Sequence, residues 1–545
     1  MKRILSSVFV VFLLSCTVII GLDIFLFRPP VSLDKSSQED MLNQLQERVE
    51  EKEKKEMDLP GALAEQLPSK ENKENSNKPF SPRSSGDENR FRIFSLLLAL
   101  LGMPLFSAIG SIALFLSESA KSIFIDVVDK LTAHTLFIPL PLFTFAGYVL
   151  SQTHAPERLV RFSRSLIGWL PGGTALIAAL SCAFFTAFTG ASGVTIIALG
   201  GLLYPILIKE QYGENFTLGM ITTGGTLGLL FPPSLPVILY GVIANTSMQG
   251  MGNNTNLEIK DLFLAGLIPG TLMILAVTFY GMWIGMRHHE ERPVFAWKEL
   301  ADSTIHALPE LLTPMIVILG YFGGYIQLTE AAAYTALYVF LVEMLIYKEI
   351  KIKNGIEIAK KSMVLIGAIL IILMMAMSLT NLLIMAKVPD QILYYMKQHV
   401  SSPLTFLILL NLFLLIVGCL MDIFSAILVV VPLIVPIALA FQIDPIHLGV
   451  VFLTNLGIGY LTPPVGMNLF ITSLRFKKSL FKVAYTCVPF LLLSLVVLGI
   501  ITYIPAVSLY PVKHPWVLWA FFAGILLILV LIAFFKGSHK TENKA

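Results

Sequence analysis

The chain has 545 residues, of which 55% are hydrophobic and only 14% charged, with a net charge of +3 at pH 7 and a mean hydropathy of +0.76. No water-soluble globular chain of this length carries so much apolar content, so the fold class is an all-α polytopic membrane protein. The small net charge leaves no footprint for nucleic acid, and Cys16, Cys182, Cys419 and Cys487 lie in apolar stretches without the paired spacing of disulfides or zinc sites.

Taken in chain order, the first apolar stretch spans 4–27 and follows Met1-Lys2-Arg3. It reads as a membrane anchor over 1–30, a cleaved signal peptide, or a lipoprotein signal ending before Cys16; the apolar run beyond Cys16 to Phe27 favours the anchor. Residues 31–91 pass from "EDMLNQLQERVEEKEKKEMD" into a polar, proline-containing tract and read as a disordered linker. The main domain spans 92–510. Stretches long enough to cross a hydrocarbon core of roughly 30 Å are expected at 92–116, 131–150, 168–208, 217–247, 262–286, 308–328, 330–347, 361–386, 403–443, 447–474 and 482–506. A last span at 516–536 and a basic tail fill 511–545.

Basic residues cluster at Arg158, Arg161 and Arg164, at Arg287, Arg292 and Lys298, at Lys348, Lys351 and Lys353, and at Arg475, Lys477, Lys478 and Lys482. With every cluster cytoplasmic, the spans from 153 onward close only if 168–208 and 403–443 are re-entrant hairpins, each entering and leaving on one side. The N-terminal part does not close, which implies one further crossing or half-crossing between 92 and 150.

Two helices are broken in the same way, by Pro232-Pro233 in "LLFPPSLP" and by Pro463-Pro464 in "YLTPPVGM". The offset that carries one pair onto the other also carries Gly228 onto Gly459 and Pro205 onto Pro436. A Leu-Gly pair, Leu218-Gly219 or Leu448-Gly449, is expected to open each broken helix. The unit is thus written twice, as hairpin, loop and broken helix, and four intervening crossings make the copies inverted repeats, a design that places a transport site at mid-membrane. Adjacent prolines remove two backbone donors and orphan upstream carbonyls, which persist in lipid only where something satisfies them. Carbonyls beside hydroxyls form an oxygen cage for a hard cation such as sodium, and a half-helix N-terminus attracts an anionic solute.

The residues that carry these features also resemble a known family. "FFTAFTGASGVTIIALGGLLYPIL" (184–207), "GGTLGLLFPPSLPVILYGVIANTS" (224–247), "FIPLPLFTFAGYVL" (137–150), "LTEAAAYTALY" (328–338), "MDIFSAILVVVPLIVPIA" (421–438) and "GYLTPPVGMNLF" (459–470) are similar to the large permease subunit of TRAP (tripartite ATP-independent periplasmic) transporters. The resemblance implies sodium-coupled import of a small organic anion, a carboxylate, by an elevator movement in the bacterial inner membrane. It also implies an extracytoplasmic solute-binding protein and a small four-helix membrane subunit as partners. The first hairpin tip departs from the family's usual Gly-Ser-Ser, since Gly190-Ala191-Ser192 lacks one hydroxyl.

The first candidate sodium site is Thr189, Gly190 and Ser192 with Gly225, Thr226 and Gly228. The second is Asn455, Gly457, Gly459, Thr462 and Gly466 facing Gly418 and Asp422. Against these roles stands plain packing: small residues let helices approach closely, and Asp422 suits an N-cap. Thr329-Glu330 reads as a structural cap. The histidines show no metal spacing, so no cofactor other than a coupling ion is expected. No cluster of His, Asp, Ser or Cys within spans suggests an enzyme. The alternatives are a proton-coupled or binding-protein-independent carrier of this architecture, or a channel.

Overall fold

A computed structural model describes residues 138–515, apart from Pro171, 251–256, 288–295, 386–390, 392–393, 395, 397, 399 and 401. The expected anchor, linker, span at 92–116 and C-terminal span at 516–536 lie outside the described residues, as does all but 138–150 of the stretch from 92 to 150 where a further crossing is expected. Among those residues every regular element is helical. Among the described residues, seven helices are long and apolar enough to cross a membrane: Ser192–Lys209, Ile259–Met286, Trp297–Phe322, Leu328–Ile346, Pro403–Leu420, Ile423–Ala440 and Leu480–Tyr503.

In order, the helices are α1 (Pro139–Ser151), α2 (Ala155–Ile167), α3 (Gly173–Thr189), α4 (Ser192–Lys209), α5 (Glu214–Gly224), α6 (Leu235–Gly250), α7 (Ile259–Arg287) and α8 (Trp297–Met315). They continue as α9 (Leu328–Leu341), α10 (Ile352–Met385), α11 (Pro403–Leu420), α12 (Ile423–Ala440), α13 (Pro445–Gly459), α14 (Met467–Phe476), α15 (Leu480–Tyr503) and α16 (Ala506–Lys513). Helices α3 and α4 form one hairpin, with Gly190 turning the tip at φ +63°; α11 and α12 form the other. Each hairpin is followed by a helix, a double proline and a second helix.

The recurrence extends to positions. The offset between the two proline pairs carries both ends of α4 onto those of α12, and the start of α5 onto that of α13. It also carries Gln211 onto Gln442, both left-handed, at φ 62° and 59°. The turns around them share their hydrogen bonds: Tyr212 N–H donates to Leu207 O as Ile443 N–H does to Ala438 O, at 3.1 and 2.9 Å. The helix after each break also packs on the other hairpin, α6 on α12 and α14 on α4. Leu239, Tyr240 and Ile243 meet Ile427, Val431 and Val435 in one buried cluster. Ala178, Phe185, Leu199, Leu203, Ile221, Val277 and Phe490 form another.

Several helix starts differ from the hydropathy reading. Helices α8 and α10 begin at Trp297 and Ile352, well before 308 and 361, because their first turns are polar and lie outside an apolar window. The Leu-Gly pairs do not open the broken helices. Gly219 lies inside α5 against the Thr486 carbonyl, and Gly449 inside α13 against the Tyr240 ring, so they are close-packing positions. The cap of α9 is Gln327, whose N–H donates to Glu330 Oε2 at 2.9 Å; Glu330 stands one turn inside, still structural.

Ion pairs tie together the helix ends next to the four basic clusters. Arg161 meets Glu299 and Asp302, Arg158 meets Glu349, Arg164 meets Glu210, and Lys478 and Lys482 meet Glu214. The clusters therefore share one end of the helices, as their common assignment to one membrane face requires. Lys478, then Lys482, brings the Glu214 carboxyl down to about 2.

Candidate functional site

The first break leaves α5 at Gly224 and winds as a series of i→i+3 turns: Thr226 N–H donates to Thr223 O at 3.0 Å, Leu229 N–H to Thr226 O at 3.2 Å and Phe231 N–H to Gly228 O at 3.1 Å. This tighter winding shifts each donor by one carbonyl and releases others from the helical ladder. Side chains take them up. The Thr222 carbonyl accepts from Asn468 Nδ2 at 3.1 Å, the Gly225 carbonyl from Thr186 Oγ1 at 3.2 Å, and the Leu229 carbonyl from Ser234 Oγ. A broken helix survives in lipid on such terms, since an unsatisfied carbonyl there costs several kcal/mol.

Ser192, the first residue of α4, is buried and donates to Asn468 Oδ1 at 2.7 Å. Gly225 completes this group: a Cβ there would stand 3.0 Å from the Ser192 carbonyl and 3.1 Å from Asn468 Nδ2. Thr186 and Thr195 bridge the two hairpin arms at 2.8 Å between hydroxyls. Ser192 and Gly225 are thus brought together, with Thr186, Thr195, Thr222 and Asn468 as neighbours the sequence reading did not single out. Other members of the first set turn elsewhere. Thr189 Oγ1 folds back toward the Ala191 carbonyl at 3.4 Å, and Thr226 Oγ1 bonds Thr223 O at 3.0 Å. Gly190 lies against Leu235, and Gly228 against the backbone of α3.

The second break is pinned to its own hairpin tip. Gly466 N–H donates to the Cys419 carbonyl at 3.1 Å, and Ile423 N–H donates to the Tyr460 hydroxyl. Gly459 and Gly418 bring α13 and α11 into backbone contact; a Cβ on Gly459 would meet Gly418 Cα and C at 2.6 Å. At Gly466, φ +46°, the carbonyls of Tyr460 and Thr462 converge, each 2.9 Å from where a Cβ would stand. Thr462 Oγ1 bonds Ile458 O at 3.1 Å. Asp422 caps α12: its Oδ1 accepts from the Phe424 and Ser425 N–H groups at 3.0 Å, and its Oδ2 from Ser425 Oγ. Ala191, at the matching tip of the first hairpin, provides α4 with no side-chain cap.

Asn455 stands apart from this second group. Its Nδ2 donates to Asn411 Oδ1 at 2.7 Å and to Val451 O at 2.9 Å, while its Oδ1 is buried without a partner. Gly457, near the end of α13, faces the first break: a Cβ on it would stand 3.5 Å from Leu229 Cδ1 and Thr226 Cβ. The end of α13 therefore packs beside the first break. Pro232-Pro233 and Pro463-Pro464 both carry cis peptide bonds.

The family model for the tripartite ATP-independent periplasmic transporter, DctM component, matches residues 92–507. The C4-dicarboxylate TRAP transporter large permease protein DctM of Vibrio cholerae is 31% identical over 445 residues, which is 76% of this chain and 96% of that protein. Its Pseudomonas aeruginosa counterpart is 33% identical, over 73% of this chain and 91% of its own. The sialic acid TRAP transporter large permease protein SiaM of Vibrio cholerae is 30% identical over 68% of this chain and 85% of its own. Among solved structures, the YdaH transporter of Alcanivorax borkumensis aligns at TM-score 0.50 and 12% identity over 75% of this chain and 97% of that one, a likeness of fold alone. These relatives are transporter components, not enzymes. The chain belongs to the DctM-component family of tripartite ATP-independent periplasmic transporters, as a multi-pass large permease subunit of the bacterial inner membrane.

Proposed function

We propose that this permease imports a small organic anion, a carboxylate, on a sodium gradient by an elevator movement of two inverted repeats. A solute-binding protein outside the cytoplasmic membrane delivers the solute, and a separate small four-helix membrane subunit braces the permease. The observation that carries the reading is the convergence of the two broken helices on each other and on both hairpin tips. Ser192, Gly225, Thr222 and Asn468 gather at one; the Tyr460 and Thr462 carbonyls gather at Gly466 in the other.

Carbonyls and hydroxyls are the ligands a hard monovalent cation takes, and unwound helices supply them in transporters of this design. Four long helices, α7 to α10, separate the copies and give the parity that inverts the second. The Asp422 carboxylate is engaged on both oxygens as a helix cap, which favours sodium over a proton carried by that residue. Relatives named for C4-dicarboxylates and sialic acid favour a carboxylate solute.

Thermal unfolding of the purified permease in detergent, titrated with sodium or with potassium or choline at fixed ionic strength, tests the reading. A native-state ligand stabilises by RT ln(1 + [L]/Kd), about 2.7 kcal/mol at a hundredfold excess over Kd. A rise in Tm specific to sodium is expected, weakened in Ser192→Ala and in Thr462→Ala. Equal curves in sodium and potassium would remove sodium from the mechanism.

A further inference from the structure

We infer that Asn468 is a positioning residue through which the second broken helix sets the hydroxyl of Ser192 in the first candidate cation site; the inference rests on the sodium reading above. It follows from a chain of forced hydrogen-bond directions. The Thr222 carbonyl can only accept, so the atom of Asn468 facing it at 3.1 Å is the donating Nδ2. The acceptor Oδ1 must then face Ser192, at 2.7 Å. The serine has one hydroxyl proton and gives it to Asn468, so both lone pairs of Ser192 Oγ are left pointing away from the amide. A hydroxyl fixed in that sense is prepared to accept a cation; a free one rotates, and its proton can point into the site.

The location makes this more than local packing. Asn468 lies in the first turn of α14, directly after the second double proline, and is fully buried. Thr222 lies at the end of α5, and its carbonyl is released because Thr226 N–H bonds Thr223 O. One side chain of the second copy thus closes the carbonyl opened by the first break and orients the hydroxyl at the first hairpin tip. Thr472, one turn later on α14, has its hydroxyl 3.0 Å from Thr222 Oγ1, and because Thr222 gives its one proton to the Leu218 carbonyl at 2.6 Å, Thr472 is the donor that keeps α14 in register on α5. Gly225 makes room for the amide, since a Cβ there would stand only 3.1 Å from Nδ2. Occupancy of the first site and the position of α14 are thereby linked, so an ion held beside Ser192 also holds the second broken helix in place.

The test is a double-mutant cycle on the full-length purified permease, reading the sodium concentration that gives half of the maximal thermal shift, with potassium chloride as the reference salt. Asn468→Ala is expected to raise that concentration at least tenfold. Ser192→Ala is expected to raise it similarly, and the double variant no further than the worse single variant, because both remove one oriented hydroxyl. Asn468→Leu, close to asparagine in shape, answers for any effect of an empty space and is expected to behave as the alanine variant does.

An unchanged half-saturation in Asn468→Ala, with only a lower Tm in potassium, would overturn the inference and leave the sodium reading standing. Multiplicative effects in the double variant would overturn it as well, by making the two residues independent. Failure of both Asn468 variants to give monodisperse protein would assign the residue to folding rather than positioning. A wild-type protein that does not distinguish sodium from potassium would instead overturn the sodium reading and the inference with it.

Discussion

Arg158→Met is expected to cost about 3–5 kcal/mol, the loss seen when one partner of a buried ion pair is removed and its charge left behind. The guanidinium sits over the Tyr347 ring, 3.6 Å from its centroid. It bonds Glu310 through Nε, Glu349 through Nη1 at 2.5 Å and Glu343 through Nη2 at 2.8 Å. Two of the three carboxylates are buried outright and Glu349 is one-fifth exposed. Burial works against the Glu349 charge, but the His154 N–H and Arg158 hold it below the usual carboxylate range. Glu310 Oε2 has the Tyr347 hydroxyl at 2.9 Å; Glu343 Oε2 is buried with no donor.

Without the arginine, α2 loses its buried tie to Glu310 of α8 and its ties to the connection after α9, and three carboxylates face one another in a low-dielectric space. The measurement is chemical or thermal unfolding in detergent. Arg158→Lys is expected to fall between, because an ammonium cannot present the three-way planar fork. Arg158→Met with Glu343→Gln is expected to recover part of the loss, since one uncompensated charge has gone. A loss below about 1 kcal/mol, the range of an exposed pair, would show that water reaches the cluster and carries its charges.

The breaks and hairpins were legible in the sequence because each is written locally. A double proline has one structural meaning in an apolar helix, and its repetition at one offset predicted the recurrence that α4 with α12 and α5 with α13 display. Helix starts were less legible, since the first turns of α8 and α10 are polar and hydropathy alone does not reach them. The site was legible in part. Ser192 and Gly225 were picked out as residues at a tip and at a break, and they do meet. Asn468 was not, although it stood in view as the amide in "PPVGMNLF", and a polar side chain inside an apolar segment is costly enough to ask for a partner. Its partners lie far away in the chain, with Ser192 separated from it by 276 positions. Only the folded arrangement of α14 across α4 and α5 brings them together. The weighing of Asp422 between ligand and cap also needed geometry, which shows both of its oxygens on the first turn of α12.

Gly228→Ala is expected to be the most damaging single methyl group at the first break, about 3 kcal/mol, the upper part of the range for overpacking. A Cβ on Gly228 would press on the Ala183 carbonyl and stand 2.7 Å from Ala187 N and Thr186 Cβ. Two of these are backbone atoms of α3, so no rotamer change relieves the overlap and the break must move off the hairpin as a unit. That movement pulls the Gly225 carbonyl from Thr186 Oγ1, which lies only 3.2 Å away at the outset. The orphaned carbonyl then adds its own cost in lipid. Gly499→Ala is the matched control: it is also a helical glycine, but nothing stands within 4 Å of its Cβ. Unfolding in potassium chloride, where no specific ion contributes, is expected to show a large fall in Tm for Gly228→Ala and almost none for Gly499→Ala. Equal curves would mean that the first break does not dock on α3 this closely, and the carbonyls assigned to Thr186 and Asn468 would then have to find other donors. The same comparison separates packing from ion binding, because a methyl group that displaces the break lowers stability even where no sodium is present.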